Sequence, residues 1–142
     1  MYLDTCILVK LFVDEPDSEF FQKALQGELL STSELASTEI WSALLAKERA
    51  KSISAKDRGA AWRVFQERVE EKQIVLHPLN SVVLKKANHA LGRCHPKVAL
   101  RTLDAIHIAA CDLSQDFPLC TTDQRMRDAA AMLGIPTFPE AE

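Results

Sequence analysis

Thr102-Leu103-Asp104-Ala105-Ile106-His107-Ile108-Ala109-Ala110 reads as the start of a helix, and the chain is organised around it. Thr102 is expected as the N-cap, and Asp104 falls in the first turn, where a carboxylate suits the positive end of the helix dipole. Leu103, Ile106 and Ala110 follow the i, i+3, i+7 pattern of a buried face. Asp104 therefore lies one residue from a buried face, aimed inward more than at bulk water. Alone, such an acid is a helix-start residue. It becomes a candidate for chemistry only if other acids are aimed at the same point.

Upstream, Met1-Tyr2-Leu3 is a short apolar strand ending at Asp4-Thr5, and Cys6 to Val13 has helical apolar content interrupted by Lys10. Lys10 is expected as a solvated lysine, and the acids of residues 14 to 19 as capping and surface groups around a second helix start near Pro16. Leu29 to Thr32 reads as a second strand. Ser31 and Glu34 match the S-x-x-E capping box of a long helix starting at Thr32 or Ser33 and reaching Ala50. On that helix Ala36, Ile40, Ala43 and Leu44 mark the inward arc, and Glu39 lies beside it.

Further along, a helix is expected over residues 55 to 72, a third strand over 74 to 76, and an amphipathic helix from Val82 to Leu91. A loop from Gly92 to Lys97 follows. Pro118 to Asp123 reads as a fourth strand ending at an acid, residues 124 to 133 as a helix closed by Gly134, and 135 to 138 as an edge strand. Strands alternating with helices predict an α/β fold, a three-layer sandwich with a mostly parallel four- or five-stranded sheet flanked by helices. No linker or low-complexity segment interrupts residues 1–142, so one domain is expected.

Composition narrows the function. The 142 residues include 47% hydrophobic and 26% charged residues with a net charge of −3, an ordinary globular balance without the basic footprint of a duplex-DNA binder. The four cysteines show no metal-binding spacing; Cys6, Cys111 and Cys120 read as reduced core thiols, and the chain as cytoplasmic, with no membrane span. In parallel α/β sheets ligands bind at the carboxyl ends of the strands. Asp4 and Asp123 follow strands, Asp104 starts a helix and Glu39 looks inward, so four acids have independent reasons to approach one rim.

Two carboxylates about 4 Å apart repel by roughly 4 kcal/mol at an effective dielectric of about 20. Crowding all four is expected to call for a divalent cation. An all-oxygen donor set favours Mg²⁺, with Mn²⁺ as a substitute, over zinc. Such an ion activates water and orients a phosphodiester. Thr5 and Thr121 offer hydroxyls beside the acids for water or phosphate contacts. The plain readings stand beside these: Asp4 as a turn residue, Asp123 as an N-cap, Glu39 as an exposed helix residue. His107 is expected as a structural histidine and not a general base. Lys47, Arg49, Lys51, Lys56 and Arg58 form the densest basic stretch, either dipole compensation and ordinary surface or a phosphate track.

Met1-Tyr2-Leu3-Asp4-Thr5, Ser37-Thr38-Glu39-Ile40, Leu103-Asp104-Ala105-Ile106-His107 and Thr121-Thr122-Asp123 resemble, in order and spacing, the four acidic motifs of PIN-domain ribonucleases, above all VapC-type toxins of toxin–antitoxin pairs. The resemblance covers nearly the whole chain. It implies a Mg²⁺-dependent endoribonuclease acting on RNA, a homodimer, and a small cognate antitoxin that inhibits it. Asp4, Glu39, Asp104 and Asp123 would be the catalytic and metal-binding acids, with Thr5 and Thr121 in support. Cys6 stands where the family often has Ser or Asn. Two other readings remain: a catalytically silent PIN-like module that binds RNA or protein, and a receiver-type phosphoacceptor domain. The receiver reading lacks both its paired early acids and its later strand-end lysine.

Overall fold

Tyr2 and Leu3 are consecutive residues on opposite faces of a sheet, and each roots a separate hydrophobic core. A computed structural model describes residues 1–140. In chain order the elements are β1 (Tyr2–Leu3), α1 (Thr5–Phe12), α2 (Ser18–Ala24), β2 (Leu30–Ser33), α3 (Leu35–Arg49) and α4 (Ala55–Glu70). They continue with β3 (Ile74–His77), α5 (Ser81–Cys94), α6 (Thr102–Ser114), β4 (Leu119–Cys120), α7 (Gln124–Leu133) and β5 (Thr137–Phe138). The sheet has five strands in the order β3-β2-β1-β4-β5, and every pairing is parallel.

Side chains alternate across a strand. Tyr2 and Leu119 therefore join the core made with α5, α6 and α7, whereas Leu3, Leu30, Ile74 and Cys120 join the core made with α1 to α4. This is the three-layer α/β sandwich expected from the sequence. Helix α6 is the most enclosed helix: every residue from Asp104 to Cys111 is buried. Small alanines at 105, 109 and 110 allow that close fit. Among the described residues no helix is long and apolar enough to cross a membrane.

Strand order decides where the chain can hold a ligand. After β1 the chain moves outward through β2 and β3, then returns to the other side of β1 with β4. The order reverses between β1 and β4, and a crevice at the carboxyl ends of those two strands is the switch point that binds ligands in open α/β sheets. Asp4 follows β1 directly, and Asp123 lies just beyond β4.

Several local expectations are corrected. Ser31 does not start a helix: β2 runs through Ser33 because it pairs residue by residue with β3 from Leu30↔Ile74 to Ser33↔His77. Glu34 instead accepts from Leu79 N, and the capping box belongs to Ser54 and Asp57 at the start of α4. Helix α5 extends to Cys94, so Arg93 is helical. At α6 the N-cap is Arg101, not Thr102, and Leu103 is 46% exposed because the buried arc begins at Asp104. Cys94 also lies in the core as a free thiol, with Cys111 and Cys120, while Cys6 is partly exposed.

Lys10 is not a solvated lysine. Its ammonium donates to Glu15 Oε2 at 3.0 Å and Asp17 Oδ1 at 2.6 Å, and Lys47 donates to Glu15 Oε1 at 2.6 Å. This network ties α1 to the turn before α2 and to α3. Burial alone would raise the Glu15 pKa, but the two lysines outweigh it and hold the carboxyl below its ordinary value. A carboxylate so lowered contributes stability above its unfolded pKa of about 4.3 and loses it as pH falls through the folded value. Glu15→Gln is expected to cost about 1–3 kcal/mol in urea denaturation near neutral pH. The difference from wild type should shrink below about pH 4; a constant difference down to about pH 3 would contradict this assignment.

Candidate active site

The carboxyl end of β1 supplies three consecutive polar residues. Asp4 is the N-cap position of α1, with extended backbone (φ −68°, ψ 151°), and makes no capping bond with its side chain. Its carboxylate is thereby left for other partners. Thr121 Oγ1 donates to Asp4 Oδ2 at 2.8 Å, and Cys6 Sγ donates to the same oxygen at 3.0 Å. Cys6 thus supplies the supporting hydrogen bond that a serine or asparagine could make there. Burial, reinforced by the Asp4 charge, pushes the Cys6 thiol up to about 12, so it keeps its proton at neutral pH.

Thr121 relays the arrangement towards Asp123. Asp123 N donates to Thr121 Oγ1 at 3.1 Å while that hydroxyl donates to Asp4. Asp123 Oδ1 accepts from Met126 N at 2.9 Å and caps α7, which leaves Oδ2 turned the other way. The expectation of an N-cap at Asp123 therefore holds alongside a second role for the same side chain. Thr5 and Thr121 differ from expectation: their hydroxyls bond the carboxylates themselves and are not left free for water or phosphate.

Glu39 reaches inward from α3 and meets α1 and α6. Thr5 Oγ1 donates to Glu39 Oε1 at 2.9 Å, and His107 Nε2 meets the same oxygen at 2.5 Å. His107 is fully buried, and its Nδ1 is 2.8 Å from Tyr2 Oη. Both ring nitrogens are therefore occupied inside the protein, as a structural histidine requires. Burial would raise the Glu39 pKa, but the His107 hydrogen bond and charge, with the Thr5 hydroxyl, bring it below the ordinary value. Glu39 stays ionised and fixed through one oxygen.

The acids at 104 and 123 are joined by a residue the sequence reading passed over. Arg101 Nε donates to Asp104 Oδ2 at 2.6 Å, and its Nη2 donates to Asp123 Oδ2 at 3.2 Å. The hydrogen bond that Arg101 donates to Asp104, the Asp104 charge and, less strongly, the charges of Asp123 and Asp4 raise the Arg101 pKa and keep it charged. A signal was available: Arg101 sits at the N-terminus of α6, where the helix dipole disfavours a cation, so nearby anions must hold it there.

Asp104 and Asp123 thus share Arg101, Asp4 is linked to Asp123 through the Thr121 hydroxyl, and Glu39 is joined to the set through Thr5, next to Asp4, and His107, one turn beyond Asp104. They do not form a preassembled cage. Among the described residues, no three His, Cys, Asp or Glu side chains gather closely enough to hold a metal ion. The Arg101 guanidinium offsets the charge of Asp104 and Asp123. The basic stretch at the end of α3 plays no comparable part: Lys47 is bound to Glu15, and Arg58 lies against Glu48 and over Trp41. Asp116 is paired with His77 and Asp112 with Lys86, away from these acids in the hydrogen-bond network.

Comparison with known proteins agrees with this architecture. Ribonuclease VapC46 of Mycobacterium tuberculosis is 36% identical over 138 residues, covering 95% of this chain and 93% of that protein. Among solved structures, VapBC2 of Rickettsia felis bound to a DNA fragment from its promoter matches with a TM-score of 0.67. That match covers 96% of this chain and 95% of the other at 12% identity, and so speaks to the fold alone. The sequence profile described as PIN domain matches residues 1–132, and the chain belongs to the PIN domain family.

Proposed function

We propose that this protein is a metal-dependent endoribonuclease that hydrolyses RNA phosphodiester bonds as the toxin of a toxin–antitoxin pair. The observation that carries the reading is the pairing of Asp104 and Asp123 through a solvent-facing guanidinium, with Asp4 tied to Asp123 through Thr121, at the switch point of the sheet. The 36% identity to a protein named as a ribonuclease supports the reaction class.

The chemistry of the donor set suits a hard dication, around which the side chains would have to close. The set is all carboxylate, it opens to solvent at Asp123 and Arg101, and its present counter-charge is a side chain 59% exposed. Asp4, Asp104 and Asp123 are the residues that would hold Mg²⁺ or Mn²⁺, with Glu39 completing the acidic set. When bound there, such an ion would supply positive charge at the phosphate and lower the pKa of water. The chain's own groups prepare for that. Thr121 and Cys6 fix Asp4 through one oxygen, Asp123 is oriented by its capping bond, and Glu39 is pinned at Oε1 by Thr5 and His107. His107 is sealed from substrate and acts as the anchor of Glu39, without a proton-transfer role.

A silent binding module would not need four acids held in this way, and none of its features is favoured by a particular observation. The partners follow from the same reading: RNA as substrate, a small cognate antitoxin as inhibitor, and a second copy of the chain in a homodimer, all in the cytoplasm.

Two outcomes are expected. RNA incubated with the purified protein and Mg²⁺ should be cut internally, and excess EDTA should stop cleavage; cutting that continues in EDTA would rule out the metal-dependent mechanism. Asp104→Asn should lower the cleavage rate by at least about 100-fold while the melting temperature stays near wild type. Full activity in that variant, measured on the same RNA, would remove Asp104 from the active site.

A further inference from the structure

Arg101 combines features that a purely structural ion pair would not need. Its side chain is 59% exposed, whereas the Asp104 side chain beneath it is 12% exposed. The cation thus lies on the outside of the acids, with solvent behind it. Lys10 shows the contrast: it is 14% exposed, bound on two sides, and ties elements together. Arg101 ties the first turn of α6 to the first residue before α7 through side chains alone, and at a helix N-terminus its own charge is unfavourable.

The oxygens it uses are also telling. Asp123 Oδ1 is committed to capping α7, so Oδ2 is the oxygen left for a ligand, and Arg101 occupies it. At Asp104 the guanidinium again takes Oδ2. A divalent cation recruiting these same oxygens must compete with the guanidinium. Once released, a flexible side chain carrying a planar cationic fork stands at the mouth of the site, suited to bidentate contact with a phosphate.

We propose that Arg101 is an exchangeable counter-cation: it holds Asp104 and Asp123 until a divalent ion takes their oxygens, then grips the phosphate of bound RNA. The proposal rests on the metal-dependent nuclease reading and adds a positioning residue to it. It makes metal binding and RNA binding positively coupled, because one frees the side chain that serves the other.

The test uses the full chain, Mn²⁺ as probe ion and a short single-stranded RNA. In calorimetric titration Arg101→Gln should bind Mn²⁺ about tenfold more tightly than wild type, the effect of removing a unit charge about 6 Å from a dication at a dielectric constant of about 80. Arg101→Lys should stay near wild type. By fluorescence anisotropy, Arg101→Gln should weaken RNA binding with Ca²⁺ present but not in EDTA, where wild-type Arg101 remains engaged by the acids. Equal or weaker Mn²⁺ binding by Arg101→Gln, with a wild-type melting temperature, overturns the proposal and leaves the nuclease reading intact. An RNA defect of the same size in EDTA also overturns it. If neither protein binds Mn²⁺, the metal-dependent reading itself falls, and this one with it.

Discussion

Negative charge gathered at one rim of a protein must be compensated, and the chain solves that problem at the crevice between β1 and β4. The parallel topology brings Asp4 and Asp123 to neighbouring strand ends, and α6 brings Asp104 to the guanidinium that also binds Asp123. None of these positions is free to drift. Asp4 is fixed by Thr121 and Cys6, Asp123 by its cap on α7, and Asp104 by a helix buried from Asp104 to Cys111. Arg101 is the compensating charge, and its side chain faces solvent.

The two cores explain why so small a sheet can impose this geometry. β1 and β4 are each two residues long, and each contributes one side chain to either face. Tyr2 shows the economy of the arrangement. It is fully buried, belongs to the core with α6, and its hydroxyl meets His107, which in turn fixes Glu39. Packing and site are therefore one structure: a side chain whose ring fills the core also sets the position of an acid two hydrogen bonds away.

Much of this was legible in the residues. Short apolar runs ending in Asp, separated by helical periodicities, announce a parallel sheet with acids at its carboxyl edge, and Gly134 closes α7 with φ +72° as its position suggested. The inward bias of Glu39 could be read from its place beside Ala36 and Ala43. Other features were hidden because they depend on distant partners. The strand pairing that carries β2 through Ser33 overrides a local capping signal. Leu103 matched an apolar period yet lies outside the buried arc, since a helix enclosed on nearly every side has no simple stripe to extrapolate. Lys10 looked solvated because Glu15 and Asp17 approach it only after the chain turns back. Arg101 was passed over for the same reason: its function is defined by an acid 22 positions away.

On the proposed reading, one set of carboxylate oxygens serves either the Arg101 guanidinium or, in exchange, a dication. Anomalous diffraction from crystals grown with Mn²⁺ tests it most directly. The account predicts a manganese peak bounded by Asp4, Asp104 and Asp123, with the Arg101 side chain withdrawn from Asp104. A rim without manganese at saturating concentration, and Arg101 still bonded to both acids, would contradict it.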